Sequence, residues 1–237
     1  MSFLIAVHVN EGIVLASDRR TTYTNTQTVG NKVVQRIGIH TTESTDKTFT
    51  CPNGAGISTC GDASLQGKPI TGYIQDMIRL HILKDTKIYC MPDIIINYFN
   101  SLAVVPNTNF IIAGYQMTEE GCKNQKVYKI NVKTKTKECV NTDNQGAIWD
   151  GETTTLTRLI QNVAMKTVED SYIDLPYEEI LWGYFTLQDA VDFARYAVET
   201  TIQTMRFKNV IETVGGNVDI LVLTPDKTEW LQKEELY

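Results

Sequence analysis

Residues 2–20 read SFLIAVHVNEGIVLASDRR, two apolar runs on either side of a short polar turn. The first run covers residues 3–9 and is interrupted only by His8, and the second covers residues 13–17. Apolar runs rich in β-branched residues that flank a glycine-containing turn are typical of a β-hairpin, and Gly12 stands in this turn. The stretch therefore predicts two antiparallel strands, the second of which ends at Asp18.

Ser2 gives this hairpin a candidate chemical role because it directly follows Met1. Removal of Met1 would leave a hydroxyl and a free α-amine on one residue, and a hydroxyl whose general base is its own α-amine is a known activated nucleophile. The second strand brings Asp18, Arg19 and Arg20 to the same end of the hairpin. Two interpretations follow. Either Ser2 is an N-terminal nucleophile, or the chain simply begins with Met-Ser and a strand, as many proteins do.

Length and charge limit the classes of protein to which the chain can belong. It has 237 residues, a net charge of −6 and 21% charged residues, and no linker or internal repeat divides it. We predict a single domain over residues 1–237. The acidic balance argues against binding to nucleic-acid phosphates, which needs clustered lysine and arginine. No apolar run approaches the ~20 residues of a membrane helix, and no signal peptide is recognised, so no membrane association is expected.

The cysteines and histidines do not have the spacing of a metal site. The sequence predicts reduced thiols, no metal, no cofactor and a cytoplasmic location. Cys51 and Cys60 are expected on neighbouring strands, as small buried residues rather than as a disulfide. The residues concerned are scattered and form no CxxC pair: Cys51, Cys60, Cys90, Cys122, Cys139, His8, His40 and His81.

Hydrophobic periodicity predicts strands and helices in alternating groups. Because every sheet and every helix must bury one face, this order predicts an α+β protein, a four-layer αββα sandwich of two antiparallel sheets flanked by helices. After the opening hairpin, strands are predicted within residues 21–45 and at 47–51, 55–60, 110–113, 126–132, 137–140, 218–224 and through 230. Helices are predicted at residues 70–81, 92–102, 156–163 and 187–205.

Three connecting segments receive more specific predictions. Residues 61–63 are expected to join a strand directly to the first helix, with Asp62 as the helix cap. Residues 146–151 are expected to form a loop that leads into the third helix, and a contact between Asp150 and a substrate is the alternative role. Residues 172–182 are aromatic and acidic, which favours either an assembly surface or a flap over a substrate groove.

Four segments carry a resemblance to a known family. They read GIVLASDRRTT at residues 12–22, STCGDASLQG at 58–67, the long helical pattern at 187–205, and VGGNVDILVLTPD at 214–226. In this order they resemble the proteasome β-subunits and the bacterial proteasome-like proteins, which are N-terminal-nucleophile hydrolases. The resemblance implies an αββα fold, hydrolysis of peptide bonds in a peptide or protein substrate, and assembly into a homo-oligomer. It does not identify an ATPase partner.

The resemblance also implies a set of catalytic residues. The nucleophile of the family falls on Ser2, and the acid that orients the catalytic lysine falls on Asp18. Lys47 best matches the strand that carries the lysine, although it requires a longer preceding loop. Lys32 aligns with the family's lysine almost without an insertion, but the residues around it do not match those around the family's lysine. The N–H group of the oxyanion hole is expected near Ser58, where active members have glycine.

The chain departs from the family pattern near its closing Gly-Gly pair. Ile211 and Val214 stand where the family has an acid and a serine, and Glu212 and Thr213 are candidate replacements. A second interpretation therefore stays open, in which the protein is an inactive structural or binding subunit of a proteasome-like assembly. A small-molecule amide hydrolase related to the amidotransferases is a third, although such enzymes often begin with cysteine.

Overall fold

The structure is a computed structural model that describes residues 2–29 and 32–234, with side chains described at residues 2–24 and 38–234. Within these residues it contains antiparallel sheets and four α-helices, which is an α+β fold as predicted. The helices are α1 (Ile70–His81), α2 (Met91–Asn100), α3 (Thr154–Ile160) and α4 (Leu187–Arg206). The strands are β1 (Phe3–Val9), β2 (Gly12–Asp18), β3 (Thr21–Val29), β4 (Lys32–Thr42), β5 (Thr48–Thr50), β6 (Gly56–Gly61), β7 (Ser64–Leu65), β8 (Lys68–Pro69), β9 (Thr108–Met117), β10 (Lys123–Asn131), β11 (Thr136–Cys139), β12 (Gly146–Gly151), β13 (Ala164–Lys166), β14 (Tyr172–Asp174), β15 (Val218–Leu223) and β16 (Thr228–Gln232).

The opening hairpin lies at the centre of the first large sheet, whose strand order is β12-β1-β2-β15-β16. β1 and β2 are antiparallel, with Leu4 opposite Ser17 and Val9 opposite Gly12, so the predicted hairpin is confirmed. Both strands are buried along their whole length, which explains why their sequences are nearly continuous apolar runs. β15 pairs antiparallel with β2, and this pairing brings the segment after residue 214 beside Asp18.

The second large sheet has the strand order β11-β10-β9-β6-β5, and its pairs are antiparallel. Its edge strand β5 follows directly after Lys47. β5 has only three residues, and the Lys47 carbonyl before it makes one further hydrogen bond to β6, so residues 43–46 lie outside the sheet. This edge of the sheet therefore opens beside the ends of β1 and β2, where Ser2 and Asp18 lie.

The core consists of three apolar clusters. Between the two sheets, Leu4, Leu15, Ile111 and Leu221 belong to one cluster. The second cluster joins the other face of the first sheet to α4, whose inward residues include Ala194 and Val198. The third joins the second sheet to α1 and α2 and contains their inward residues: Ile70, Ile74, Met77, Ile78, Met91, Ile95, Ile96 and Phe99.

Two of the predicted connections are wrong. Residues 146–151 form the strand β12 rather than a loop, because the open edge of β1 needs backbone partners and β12 supplies them from Gly146 opposite His8 to Gly151 opposite Phe3. Asp62 does not cap a helix. α1 begins only at Ile70, after the short hairpin β7–β8, and Asp62 accepts a hydrogen bond from the Asn107 N–H at 2.6 Å.

Other predicted elements are confirmed with shifted ends. Residues 21–45 contain the hairpin β3–β4, and Cys51 and Cys60 are buried free thiols. The third helix starts at Thr154 and has seven residues, and the fourth runs from Leu187 to Arg206. Thr186 and Asp189 form a capping box at its start, a signal that the sequence contained. Among the described residues, no helix is long and apolar enough to cross a membrane.

His8 makes the stability of this fold depend on pH. Its ring is buried within β1, and its Nδ1 atom has no hydrogen-bond partner among the described residues. Burial lowers the pKa of His8 because the charged form loses its solvation, although a backbone hydrogen bond to Asn144 opposes the shift. The folded protein therefore keeps His8 neutral at a pH where the unfolded chain, with a pKa of about 6.5, already binds a proton.

The depressed pKa of His8 predicts a loss of stability as the pH falls below about 6.5, continuing until the pH reaches the lower pKa of the folded state. Above that range the contribution of His8 is constant. Urea unfolding of the wild type and of His8→Gln at pH 7.5 and pH 5.5 measures the effect. We expect the difference in unfolding free energy between the two pH values to be smaller in His8→Gln. Equal pH dependence in the two proteins would contradict the prediction.

Candidate active site

The carboxylate of Asp18 is the centre of the site, and it is completely buried. Its Oδ1 accepts hydrogen bonds from the Phe3 N–H at 3.0 Å and from Lys47 Nζ at 2.8 Å. Its Oδ2 accepts from the N–H groups of Gly215 at 2.9 Å and Arg20 at 3.2 Å. Four donors on separate parts of the chain thus converge on one buried charge. This satisfies the carboxylate, as a buried charge requires.

Lys47 is the cation that pairs with this carboxylate, and its side chain is 4% exposed. Its Nζ also donates a hydrogen bond to the Arg20 carbonyl. Burial lowers the pKa of the Lys47 ammonium, and the negative charge of Asp18 opposes that shift. The position of Lys47 directly before β5 fixes it at the open edge of the second sheet, facing the end of β2.

Ser2 and Lys47 line one small cavity of about 30 Å³, here called the cleft. That volume has room for about two water molecules. The Ser2 carbonyl accepts a hydrogen bond from the Glu152 N–H at 2.8 Å. Gly151 makes this approach feasible, because a Cβ atom there would lie 1.8 Å from the Ser2 carbonyl oxygen. Met1 lies outside the described residues, so its predicted removal stays a prediction.

Ser58 does not line this cleft. It is completely buried in β6, and its Oγ lies 2.9 Å from Thr48 Oγ1, which lies 2.8 Å from Ser17 Oγ. This chain of hydroxyls links β6, β5 and β2 between the two sheets. Its location gives Ser58 a role in joining the sheets, away from the cleft where a substrate carbonyl would have to bind.

The backbone amide of β6 that faces the cleft is that of Gly61, not that of Ser58. The Thr59 N–H donates to the Lys47 carbonyl at 2.9 Å, and the Asp62 N–H donates to the Asn107 carbonyl at 3.1 Å. Because successive amides along a strand point to opposite edges, the Ser58 N–H faces β9 and the Gly61 N–H faces the β5 side. β5 begins only at Thr48, so the Gly61 amide opens into the cleft, which Gly61 lines.

The backbone at Gly61 requires a glycine. It has φ = 127°, and a Cβ atom there would lie 2.3 Å from the Asn107 carbonyl oxygen. A glycine is therefore required at this position. The sequence signal was the Cys60-Gly61-Asp62 junction itself, which the family resemblance covered.

Of the other candidate residues from the sequence analysis, those with described side chains do not line the cleft. Lys32 is the first residue of β4, and its side chain lies outside the described residues. Val214 is buried in the core beside α4, and Ile211 is 46% exposed. Of the two candidate replacements, Glu212 binds the Arg20 guanidinium, whereas Thr213 Oγ1 lies 3.9 Å from the sulfur of Met205. Glu212 is thus connected to the site through Arg20 and through its own carbonyl, which accepts a hydrogen bond at 3.4 Å from the hydroxyl of Thr22, a residue that lines the cleft.

Arg19 has a role that the sequence analysis did not assign. Its side chain is 1% exposed, and its Nη1 lies 2.8 Å from Asp219 and 2.9 Å from Asp46. Burial raises the pKa of Asp219, and the positive charge of Arg19 opposes that shift. The guanidinium connects β2 and β15 to the loop that precedes Lys47. It therefore helps to hold Lys47 at Asp18.

A second carboxylate–lysine pair lies between the two sheets close to Ser2. Asp150 is 9% exposed, and its Oδ2 lies 3.1 Å from Lys129 Nζ and 3.0 Å from Asn109 Nδ2. Asp150 stands opposite Leu4 in the pairing of β12 with β1. The predicted helix-entry turn at this position is wrong, because Asp150 belongs to a strand. The contact between Asp150 and a substrate stays a prediction.

The buried pair of Asp18 and Lys47 predicts strongly coupled effects on stability. Asp18→Asn leaves the buried Lys47 charge without its counter-ion and should cost about 3–5 kcal/mol of unfolding free energy. The double variant Asp18→Asn/Lys47→Met should cost less than the sum of the two single variants by about 0.5–3 kcal/mol. Urea unfolding of the four proteins measures this coupling. Additive losses would show that the two side chains do not interact.

The exposed pair of Asp93 and Lys137 is the matched control. Its Nζ–Oδ1 distance is 2.9 Å, close to that of the buried pair, but its side chains are 60% and 42% exposed. Surface pairs of this kind contribute about 0–1 kcal/mol. Asp93→Asn and Lys137→Met should therefore change the unfolding free energy by less than about 1 kcal/mol each.

Comparison with known proteins finds similarity in structure alone. No protein-family model matches the chain, and no curated protein matches it in sequence. The structure of Anbu from Hyphomicrobium sp. strain MC1 aligns with a TM-score of 0.59 and 13% identity, covering 98% of this chain and 88% of that chain. A mutant of the same Anbu aligns with a TM-score of 0.58 and 13% identity, covering 99% of this chain and 87% of that chain. These likenesses show that the chain has the fold of Anbu.

Proposed function

We propose that this protein is a proteasome-like N-terminal-nucleophile hydrolase that cleaves peptide bonds with Ser2 after removal of Met1, within a homo-oligomer. The observation that carries the proposal is the buried ion pair between Lys47 and Asp18 at a cleft that Ser2 lines. A lysine and a carboxylate are costly to bury, and such groups cluster at functional sites. The fold of Anbu, a bacterial proteasome-like protein, supports the same assignment.

In the proposed reaction, the Ser2 Oγ attacks the carbonyl carbon of a peptide bond. The α-amine of Ser2, with an unperturbed pKa of about 7.7–8.0, accepts the hydroxyl proton as the C–O bond forms. The tetrahedral intermediate collapses, the C–N bond breaks, and the departing amine takes up that proton. Water then hydrolyses the Ser2 ester by the same acid–base steps, releasing the second product and the free hydroxyl.

Lys47 supports this chemistry through its charge. Its positive charge, in the cavity that Ser2 also lines, stabilises the negative charge that develops on the Ser2 oxygen during the attack. Asp18 keeps the ammonium oriented and compensates for its burial. In this proposal Lys47, and not Lys32, is the catalytic lysine, because Lys47 is the one placed against Asp18.

For the oxyanion we propose the Gly61 N–H in place of the predicted Ser58 N–H. The direction of the β6 amides supports this change, since the Ser58 amide faces β9 and Gly61 lines the cleft. A donor of this kind contributes a factor of about 100–1,000 to turnover. A glycine at this position also lets the substrate carbonyl approach the amide without a side chain in between.

We further propose that the helices and sheets stack as a four-layer αββα sandwich in one domain over residues 1–237, and that the protein works in the cytoplasm without metal or cofactor. Three apolar clusters support the layer order, one between the sheets and one on the outer face of each sheet. The extent of the Anbu alignment, 98% of the chain, supports a single domain.

The second candidate function is an inactive structural or binding subunit of a proteasome-like assembly. The burial of Val214 against the α4 layer favours it, because the family's serine at this position would carry a hydroxyl near the site. In this case Met1 is retained, the blocked amine cannot act as a base, and the cleft beside Ser2 serves no reaction.

Hydrolysis of a panel of fluorogenic peptides by Ser2→Ala and wild type separates these two functions. Intact mass first establishes whether Met1 has been removed. We expect the Met1-free wild type to cleave at least one peptide. Ser2→Ala should reduce the rate to background because the attacking oxygen is lost. Ser64→Ala, a matched change at an exposed serine of β7, should leave the rate unchanged. Met1-free protein that cleaves no peptide would favour the inactive subunit.

A further inference from the structure

The segment from residue 164 to residue 179, here called the acidic strap, packs against almost none of the described protein. It consists of the hairpin β13–β14 and the extended chain that follows, and nearly all of its side chains are exposed. Val168 is fully exposed and Tyr172 is 70% exposed. Two described hydrogen bonds connect the end of the strap to the rest of the protein. Tyr177 Oη donates to the Ile160 carbonyl, and the Leu175 N–H donates to the Val163 carbonyl.

Such a segment needs a partner to be stable. An isolated two-stranded hairpin is marginal in water, and contiguous exposed apolar side chains mark interaction sites. The strap also has a definite charge. Five carboxylates and one ammonium give it a net charge of −4, and the ammonium, that of Lys166, already pairs with Asp170. The partner surface must therefore be basic and must offer an apolar recess. The exposed apolar residues of the strap are Met165, Val168, Tyr172, Ile173, Leu175 and Tyr177.

The described surface contains a recess with these properties, here called the basic groove. Its volume is about 610 Å³, and it lies between residues 84–88, the β5–β6 turn, the end of β9 and the β15–β16 turn. Four lysines and two aspartates line it, a net charge of +2 on a chain whose total is −6. Trp230, Tyr115 and Met117 supply its apolar surface.

The two lysines on one wall of the groove are available for a partner. Lys84 and Lys87 are exposed, and among the described residues neither has an ion-pair partner. The other two lysines are engaged, since Lys123 donates to the Pro225 carbonyl and Lys227 pairs with Glu229 at 2.8 Å. Lys84 and Lys87 are thus the charges that a docked acidic segment would neutralise.

The groove lies far from Ser2 along the first sheet. β15 ends with Leu223 opposite Ile13, so the β15–β16 turn lies at the end of the β1–β2 hairpin that contains Gly12. Ser2 lies at the other end, roughly 20 Å away over the seven residues of β1. A partner bound in the groove would therefore leave the cleft at Ser2 open.

We propose that the acidic strap of one copy of this chain docks into the basic groove of the next copy. Charge and apolar character are complementary between the two surfaces, and both belong to the same chain. Because two different surfaces meet, the contact is heterologous, and repeated contacts close into a ring or continue as a helix. The inference rests on the self-association in the proposed function and is independent of hydrolysis.

Sedimentation velocity of charge-reversed variants tests this docking. Lys84→Glu/Lys87→Glu changes the net charge of the groove from +2 to −2, and Asp174→Lys/Glu178→Lys/Glu179→Lys changes that of the strap from −4 to +2. We expect the wild type to sediment as an oligomer and each variant to sediment mainly as a monomer at the same concentration, because like charges then meet. Circular dichroism and thermal unfolding establish that both variants are folded.

A mixture of the two variants provides the decisive measurement. The groove variant keeps its acidic strap, which fits the unchanged groove of the strap variant. The strap variant has a basic strap, which fits the acidic groove of the groove variant. We therefore expect the equimolar mixture to form oligomers again, in which the two variants alternate. Mere disruption of folding could not produce this recovery.

The control variant is Lys133→Glu/Lys135→Glu, at two exposed lysines of the turn between β10 and β11, which should leave the oligomer intact. A monomeric wild type would overturn the proposal. So would variants that stay oligomeric, because charge reversal on either surface would then leave the contact between copies intact. Peptide hydrolysis is measured separately, so a failure of docking does not count against Ser2, and a failure of hydrolysis does not count against docking.

Discussion

The buried carboxylate of Asp18 is the constraint on which the arrangement of this protein depends. A carboxylate without solvent needs a counter-charge and several donors, and these come from four places in the chain: Phe3, Arg20, Lys47 and Gly215. Each donor fixes the end of a different element. The first strand, the start of β5 and the segment before β15 are therefore held together around one charge.

The need to compensate the buried charge of Asp18 also connects the two sheets. Lys47 directly precedes β5 of the second sheet and Asp18 ends β2 of the first, so their ion pair connects the two sheets. The hydroxyls of Ser17, Thr48 and Ser58 make a second crossing close by. Arg19 adds a third, between Asp219 and the loop that contains Asp46. Polar groups thus join the sheets near Ser2, whereas apolar side chains join them elsewhere.

Much of the fold was predictable because its signals are local. The apolar runs of the opening hairpin and the apolar stripe of α4 depend on neighbouring residues only, and these elements are confirmed. The predictions failed where a distant partner determines the structure. Residues 146–151 form a strand because β1 has an open edge, and Asp62 binds the Asn107 amide rather than capping a helix. No local pattern contains that information.

The sequence by itself determined the opening hairpin and the candidate residues Ser2 and Asp18 at its two ends, because they lie in a segment with a recognisable pattern, but it left Lys47 and Lys32 as alternatives. Only the tertiary structure decided that Lys47 reaches Asp18 and that the Gly61 amide, and not that of Ser58, opens into the cleft. The direction of an amide depends on which strands flank it, and the partner of a buried charge depends on which ends of the chain meet. Both are properties of strand pairing, which a single segment of sequence does not specify.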